Sequence, residues 1–127
     1  MHSLAEKITD SELEIMHVLW EAGRPLSVTE IRQGLSSKRS WESTTVKTLI
    51  HRLHAKGAVE QSKQDVYYYT PLISEAEYCG YVTEDLISKA YHGSALNLVA
   101  ALVRSSGLSE EDLSELRAMF HGEDNDE

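Results

Sequence analysis

Six side chains in one short stretch, Thr44, Thr45, Lys47, Thr48, His51 and Arg52, present hydroxyl, ammonium, imidazole and guanidinium groups at helical spacing. Groups of this kind, set about a turn apart, can meet base edges and phosphate oxygens. They share residues 43–55 with an apolar stripe, Val46, Leu49, Ile50 and Leu53, that faces the other way. The chemistry on offer is recognition of a polyanion. No Gly-rich phosphate loop, cysteine–histidine pair or set of carboxylates around one cleft occurs in the 127 residues, so an enzyme is not expected. His51 and His54 have a spacing that could hold a metal, but no third ligand is in sight. The lone Cys79 excludes both an internal disulfide and a paired-thiolate zinc site, and it reads as a small hydrophobe on an apolar helix face. Neither metal nor cofactor is expected.

A formal net charge of −9 looks hostile to nucleic acid until its distribution is read. Residues 74–127 hold three basic residues against twelve acidic ones, which accounts for the whole −9; the first 73 residues carry nine of each sign. Within residues 32–63, seven basic residues (Arg32, Lys38, Arg39, Lys47, Arg52, Lys56 and Lys63) stand against Glu42 and Glu60, a local excess of +5. A basic face on an acidic chain suits a phosphate-binding surface. No apolar run approaches the roughly 20 residues that span a bilayer. The first residues lack a charged-then-apolar export signal, so a cytoplasmic, membrane-free protein is expected.

The elements that must position these groups follow from periodicity and punctuation. Asp10 is a plausible cap for a first helix carrying Leu13, Met16, His17 and Trp20, with His17 expected in the core and Gly23 and Pro25 ending the helix. Leu26-Ser27-Val28 is at most a strand stub. Ser27 or Thr29 caps a second helix to about Leu35, and Gly34, Ser36, Ser37 and Lys38 mark a loop. Ser43 or Thr44 caps the third helix, Trp41 precedes it as a packing residue whose indole could also reach a phosphate, and Gly57 stops it. Residues 58–62 and 66–70 are strand-like runs joined by Lys63-Gln64-Asp65, a hairpin with a basic tip at Lys63. Along Tyr67-Tyr68-Tyr69 the side chains alternate, so one face packs on the core.

Helix, strand stub, helix, helix and hairpin is the winged-helix plan, with the third helix sized for the major groove. The fold expected is mainly α with a small β-hairpin: a DNA-binding winged helix-turn-helix over residues 1–73, a three-helix dimerisation part over 74–121 and an acidic, disordered tail over 122–127. Ser74 and Glu77 have capping-box spacing for the first C-terminal helix, and Ser109 with Asp112 caps the last. Residues 95–103 are apolar around nearly the whole circumference, more than so short an appendage can cover alone. A homodimer is therefore expected through Tyr81, Leu86, Leu96, Leu98, Val99, Leu102, Leu113 and Leu116, matching a palindromic double-stranded site.

Several stretches resemble the BlaI/MecI/CopY family of bacterial repressors: residues 8–16 followed by Leu19-Trp20, the run W-E-S-T-T-V-K-T-L-I-H-R-L-H-A-K-G over residues 41–57, Tyr68-Tyr69-Thr70-Pro71, and Leu113-Ser114-Glu115-Leu116. The resemblance covers nearly the whole chain. It implies a cytosolic homodimer repressing from a palindromic operator, in β-lactam resistance or copper handling. It also implies base and phosphate contacts from Thr45, Lys47 and Thr48 and a backbone brace from Arg52. Ser43, Thr44, Trp41 and Lys63 complete the expected DNA-facing set. Glu42 and Thr44 stand where some relatives carry serine and lysine. In the β-lactam branch a sensor protease cuts an Asn-Phe bond; the matching positions here are Ala101-Leu102, with the nearest asparagine at Asn97. The paired C-x-C motifs of the copper branch are absent. Two rival readings are a metal-responsive DNA-binding regulator using Cys79 with histidines, and a winged helix used for protein contacts. The polar, basic face of the third helix argues against the second.

Overall fold

The computed structural model describes residues 8–35, 39–105 and 107–125, with side chains to residue 121. The expected loop residues Ser36, Ser37 and Lys38, and the side chains of the acidic tail, fall outside that set. Helix α1 (Asp10–Ala22), α2 (Val28–Leu35) and α3 (Ser43–Ala55) are followed by strands β1 (Val59–Lys63) and β2 (Tyr67–Pro71). Helices α4 (Glu75–Ala90), α5 (Ala95–Arg104) and α6 (Glu110–Asn125) complete the chain. The residues form two compact units, Met1–Thr83 and Glu84–Glu127, so α4 runs through the division.

In the first unit one core joins every element. Ile15, Met16 and Leu19 of α1 meet Ile31 and Leu35 of α2, and Val46, Leu49, Ile50 and Leu53 of α3. Ala58, Val59 and Tyr69 close it from the hairpin side. Strands β1 and β2 pair antiparallel with Val59 opposite Pro71 and Lys63 opposite Tyr67. Leu26 adds a third rung: its amide donates to the Tyr69 carbonyl at 3.1 Å and its carbonyl accepts from the Tyr69 amide at 2.8 Å. The strand stub thus ties the start of α2 to the hairpin. Tyr69 points inward and its hydroxyl donates to Gln61 Oε1 at 3.2 Å, while burial pushes its phenol up. Tyr67, on the same strand face but beyond the edge of the core, is exposed.

Caps set the helix starts. For α1 the cap is Thr9 rather than Asp10: its hydroxyl accepts from the Glu12 amide at 3.2 Å and the Glu12 carboxylate accepts from the Thr9 amide at 3.0 Å. Thr9 wins because only its partner three residues on can return the bond. Gly23, at φ +67°, ends the helix in the left-handed region. Ser27 and Glu30 form the same reciprocal pair for α2, and the Ser27 amide, aided by Arg24, holds the Glu30 carboxyl below its ordinary value. Gly34 lies inside α2 instead of in a loop, where a Cβ would meet Val18 Cγ1 at 2.6 Å. Its missing side chain lets α2 approach α1. His17, expected in the core, is exposed and sits 3.7 Å from Glu75. At 100° per residue it falls away from the stripe formed by Glu12, Ile15, Met16 and Leu19.

Glu12 is the unexpected member of that stripe. Its side chain is 1% exposed, and Lys56, just past α3, reaches in to pair with Oε1. The pair joins the start of α1 to the end of α3 through the core. After the hairpin, the Trp20 indole donates to the Ile73 carbonyl at 2.9 Å and packs beside Tyr78, which fixes the first turns of α4 on this unit. Cys79, one residue further on, is exposed rather than packed, because Tyr78 takes the inward position.

The second unit is built differently. His92 and Gly93 take φ +53° and +81° and end α4, and Ser94 caps α5 by accepting from the Asn97 amide at 3.1 Å. Ser109 and Asp112 cap α6 reciprocally. Helix α6 continues to Asn125, so most of the segment expected as a disordered tail is helical. Among the described residues of this unit no side chain is fully buried.

Candidate nucleic-acid interface

Helix α3 places its side chains according to its apolar stripe. With Val46, Leu49, Ile50 and Leu53 buried, Thr44, Thr45, Lys47, Thr48, His51 and Arg52 are all exposed. The face is therefore a polar, cationic surface held by a rigid helix whose other side is anchored in the core. The helix starts after Glu42, which makes no side-chain capping bond, so neither Ser43 nor Thr44 is the cap. Ser43 is the first helical residue and half-buried. The Thr48 hydroxyl donates to the Thr44 carbonyl at 2.9 Å, and the side chain remains exposed. The methyl of an exposed threonine suits the C5-methyl of thymine.

The hairpin stands beside this face as the wing. Lys63 Nζ lies 4.6 Å from the centre of the Tyr67 ring, and both side chains are exposed. Between wing and helix runs a groove lined by Ser43, Lys47 and His51 of α3, Tyr67 and Tyr69 of β2, and Thr29 at the start of α2. Tyr67 was not among the residues expected to face DNA, and His51, read as part of the polar face of the third helix, was given no contact of its own. Their place follows from the helix period and from the strand running past the edge of the core.

Of the seven basic residues in this stretch, six are described and three of those have structural work. Arg39 makes a two-pronged pair with Glu14 of α1, with bonds of 2.9 and 3.0 Å from Nε, which raises its already high pKa. The same guanidinium lies 5.3 Å from the Trp41 ring centre. Arg32 Nε donates to the Trp41 carbonyl at 3.2 Å. Trp41 itself packs against the core, so Arg32, Arg39 and Trp41 together fix the approach to α3. Lys56 belongs to Glu12. Lys47, Arg52 and Lys63 remain as the exposed cations of α3 and the wing. The +5 count therefore overstates the charge facing outward.

The residues expected to pair two copies lie on the C-terminal helices. Leu86 on α4 is 43% exposed; Leu96, Val99 and Leu102 on α5 are 75%, 40% and 47% exposed. Tyr81, Leu98, Leu113 and Leu116 are half-buried. Val82, Val103, Met119 and Phe120 add exposed apolar surface that was not in the expected set. Ala101 and Leu102 lie within α5, the first half-buried and the second exposed. Among the described residues no group of three or more His, Cys, Asp or Glu could hold a metal ion, and no helix is long and apolar enough to cross a membrane.

Known proteins resemble this chain. The penicillinase repressor family profile matches residues 8–121. The penicillinase repressor of Bacillus licheniformis is 32% identical over 111 residues, covering 87% of this chain and 86% of that protein. The methicillin resistance regulatory protein MecI of Mammaliicoccus sciuri is 29% identical over 122 residues, covering 95% and 98%. Among solved structures, the DNA-binding domain of the repressor BlaI is 37% identical, with a TM-score of 0.51, over 57% of this chain and 88% of that one. A winged helix with a polar, cationic third helix and a match running almost end to end lead to one assignment: the chain belongs to the penicillinase repressor (BlaI/MecI) family of DNA-binding transcriptional repressors.

Proposed function

We propose that the chain represses transcription as a cytoplasmic homodimer, seating one α3 in each half of a palindromic operator. The observation that carries this reading is the exposed face of α3, where Lys47, Thr48 and Arg52 project from a helix anchored on its other side by four buried apolar residues. Thr45, Lys47 and Thr48 meet base edges and adjoining phosphates; Ser43 and Thr44 serve the first turn. Arg52 and Lys63 grip the backbone on either side, and Trp41 holds the helix at its angle. Affinity falls with salt in proportion to the phosphates these cations neutralise, so their small number sets a modest slope. The dimer is supported by the second unit, which has no fully buried side chain of its own among the described residues and exposes leucines and valines on α5.

Release from the operator is proposed to involve a sensor protease acting at Ala101–Leu102. Because the bond lies inside α5, its last turns must unwind before an extended substrate can be presented.

The test is Lys47→Ala in a mobility-shift assay. Affinity for operator duplex falls about tenfold, and the salt dependence loses roughly one phosphate contact in each half-site. The melting temperature stays unchanged, since Lys47 is exposed. Unchanged affinity at moderate salt removes Lys47 from the interface.

A further inference from the structure

We infer that His51 contacts the operator and takes up a proton as the duplex binds, so that affinity rises as pH falls. The inference rests on the DNA-binding reading of α3 and adds a residue and a linkage to it.

Position is the first argument. Relative to the buried stripe of α3, His51 projects almost directly outward, beside Thr44 and Thr48 and closer to the middle of the exposed face than Thr45 or Arg52. A helix lying in the major groove with this face forward cannot keep His51 away from the duplex. The second argument is its surroundings. His51 lines the groove between α3 and the wing, where the titratable groups facing it are Lys47 on its own helix and Tyr67 and Tyr69 on β2. Lys63 stands over Tyr67, and Arg52 and His54 flank His51 along α3. No carboxylate is among the residues lining this groove. Among the described residues lining the groove none supplies an anion for an imidazolium; the duplex does.

The chemistry fixes the sign. Imidazole is the side chain that ordinarily changes charge between about pH 5 and 8. A phosphate oxygen or a guanine N7 accepts from the charged ring, which raises the pKa in the complex above that in the free chain. The added affinity is complete below the free-state pKa and is lost as pH rises through the bound-state pKa. Ammonium and phenol groups ordinarily titrate near about 10, well outside the range scanned.

The experiment uses the full chain and a fluorescent duplex recovered by selection from a random pool, with a scrambled duplex of the same length beside it. Anisotropy titrations run at constant ionic strength. Between about pH 8 and about pH 6, affinity for the selected duplex rises roughly five- to tenfold. His51→Gln, which keeps a hydrogen-bonding group but cannot become charged, varies less than about twofold over that range and binds within about threefold of the parent at the alkaline end. His54→Gln keeps the parental slope. A flat parental profile, or a His51→Gln slope equal to the parent's, overturns the proton-coupled contact while leaving the repressor reading intact. Failure to recover any bound duplex overturns the repressor reading and this contact with it.

Discussion

Leu102→Asp is expected to leave the chain monomeric at concentrations where the parent sediments as a dimer, and to abolish its operator complex in the same step. Leu102 is 47% exposed in the single chain, so a carboxylate there is tolerated while the chain is alone. Across the two-fold interface proposed above the substitution would enter twice and set each carboxylate against apolar surface. A penalty of about 3 kcal/mol or more weakens association more than about a hundredfold, at 1.4 kcal/mol per tenfold. Operator binding falls with it because each winged helix then binds a half-site without the effective concentration its partner provides. Sedimentation velocity and a mobility shift on the same sample check both effects. A variant that stays dimeric at low micromolar concentration removes α5 from the interface.

The second large effect concerns stability. Lys56→Met should lower the melting temperature by roughly 15 °C, from a loss of about 3 kcal/mol. The removed ammonium answers a carboxylate that is 1% exposed, and Glu12 Oε2 already has no hydrogen-bond partner among the described residues. Stranding that charge in the core costs far more than losing a surface pair. The diagnostic variant is the double one: Glu12→Gln in the Lys56→Met background keeps an acceptor for the Thr9 amide but abolishes the charge, and should recover most of the loss. Thermal melts of parent, single and double variants decide it. A single variant melting within a few degrees of the parent shows that the pair contributes little.

That pair also marks where the sequence was harder to read. The order of elements was legible because each carries its own punctuation: Gly23 after α1, Gly57 after α3, capping spacings at Ser74 and Ser109, and strand runs on either side of Gln64-Asp65. The outward face of α3 was legible because its stripe is clean. Glu12 carries no local signal of burial, although it falls in register with Ile15, Met16 and Leu19. Only the three-dimensional position of Lys56, 44 residues away, makes its burial tolerable. The count of seven basic residues failed for the same reason. Arg32, Arg39 and Lys56 acquire framework partners that no local pattern announces, and a residue's charge says nothing about which way it is used. His17 and Cys79 were misplaced because an apolar neighbourhood in sequence does not decide which flank of a helix meets the core.

The segregation of charge along the chain has a further consequence for how such a molecule behaves among millions of wrong sites. The surplus of acid lies wholly beyond residue 73, while the exposed cations of α3 and the wing are few. On the proposed operator-binding reading, attraction to arbitrary chromosomal sequence is expected to be correspondingly weak. Selectivity would then be gained partly by being a poor general binder.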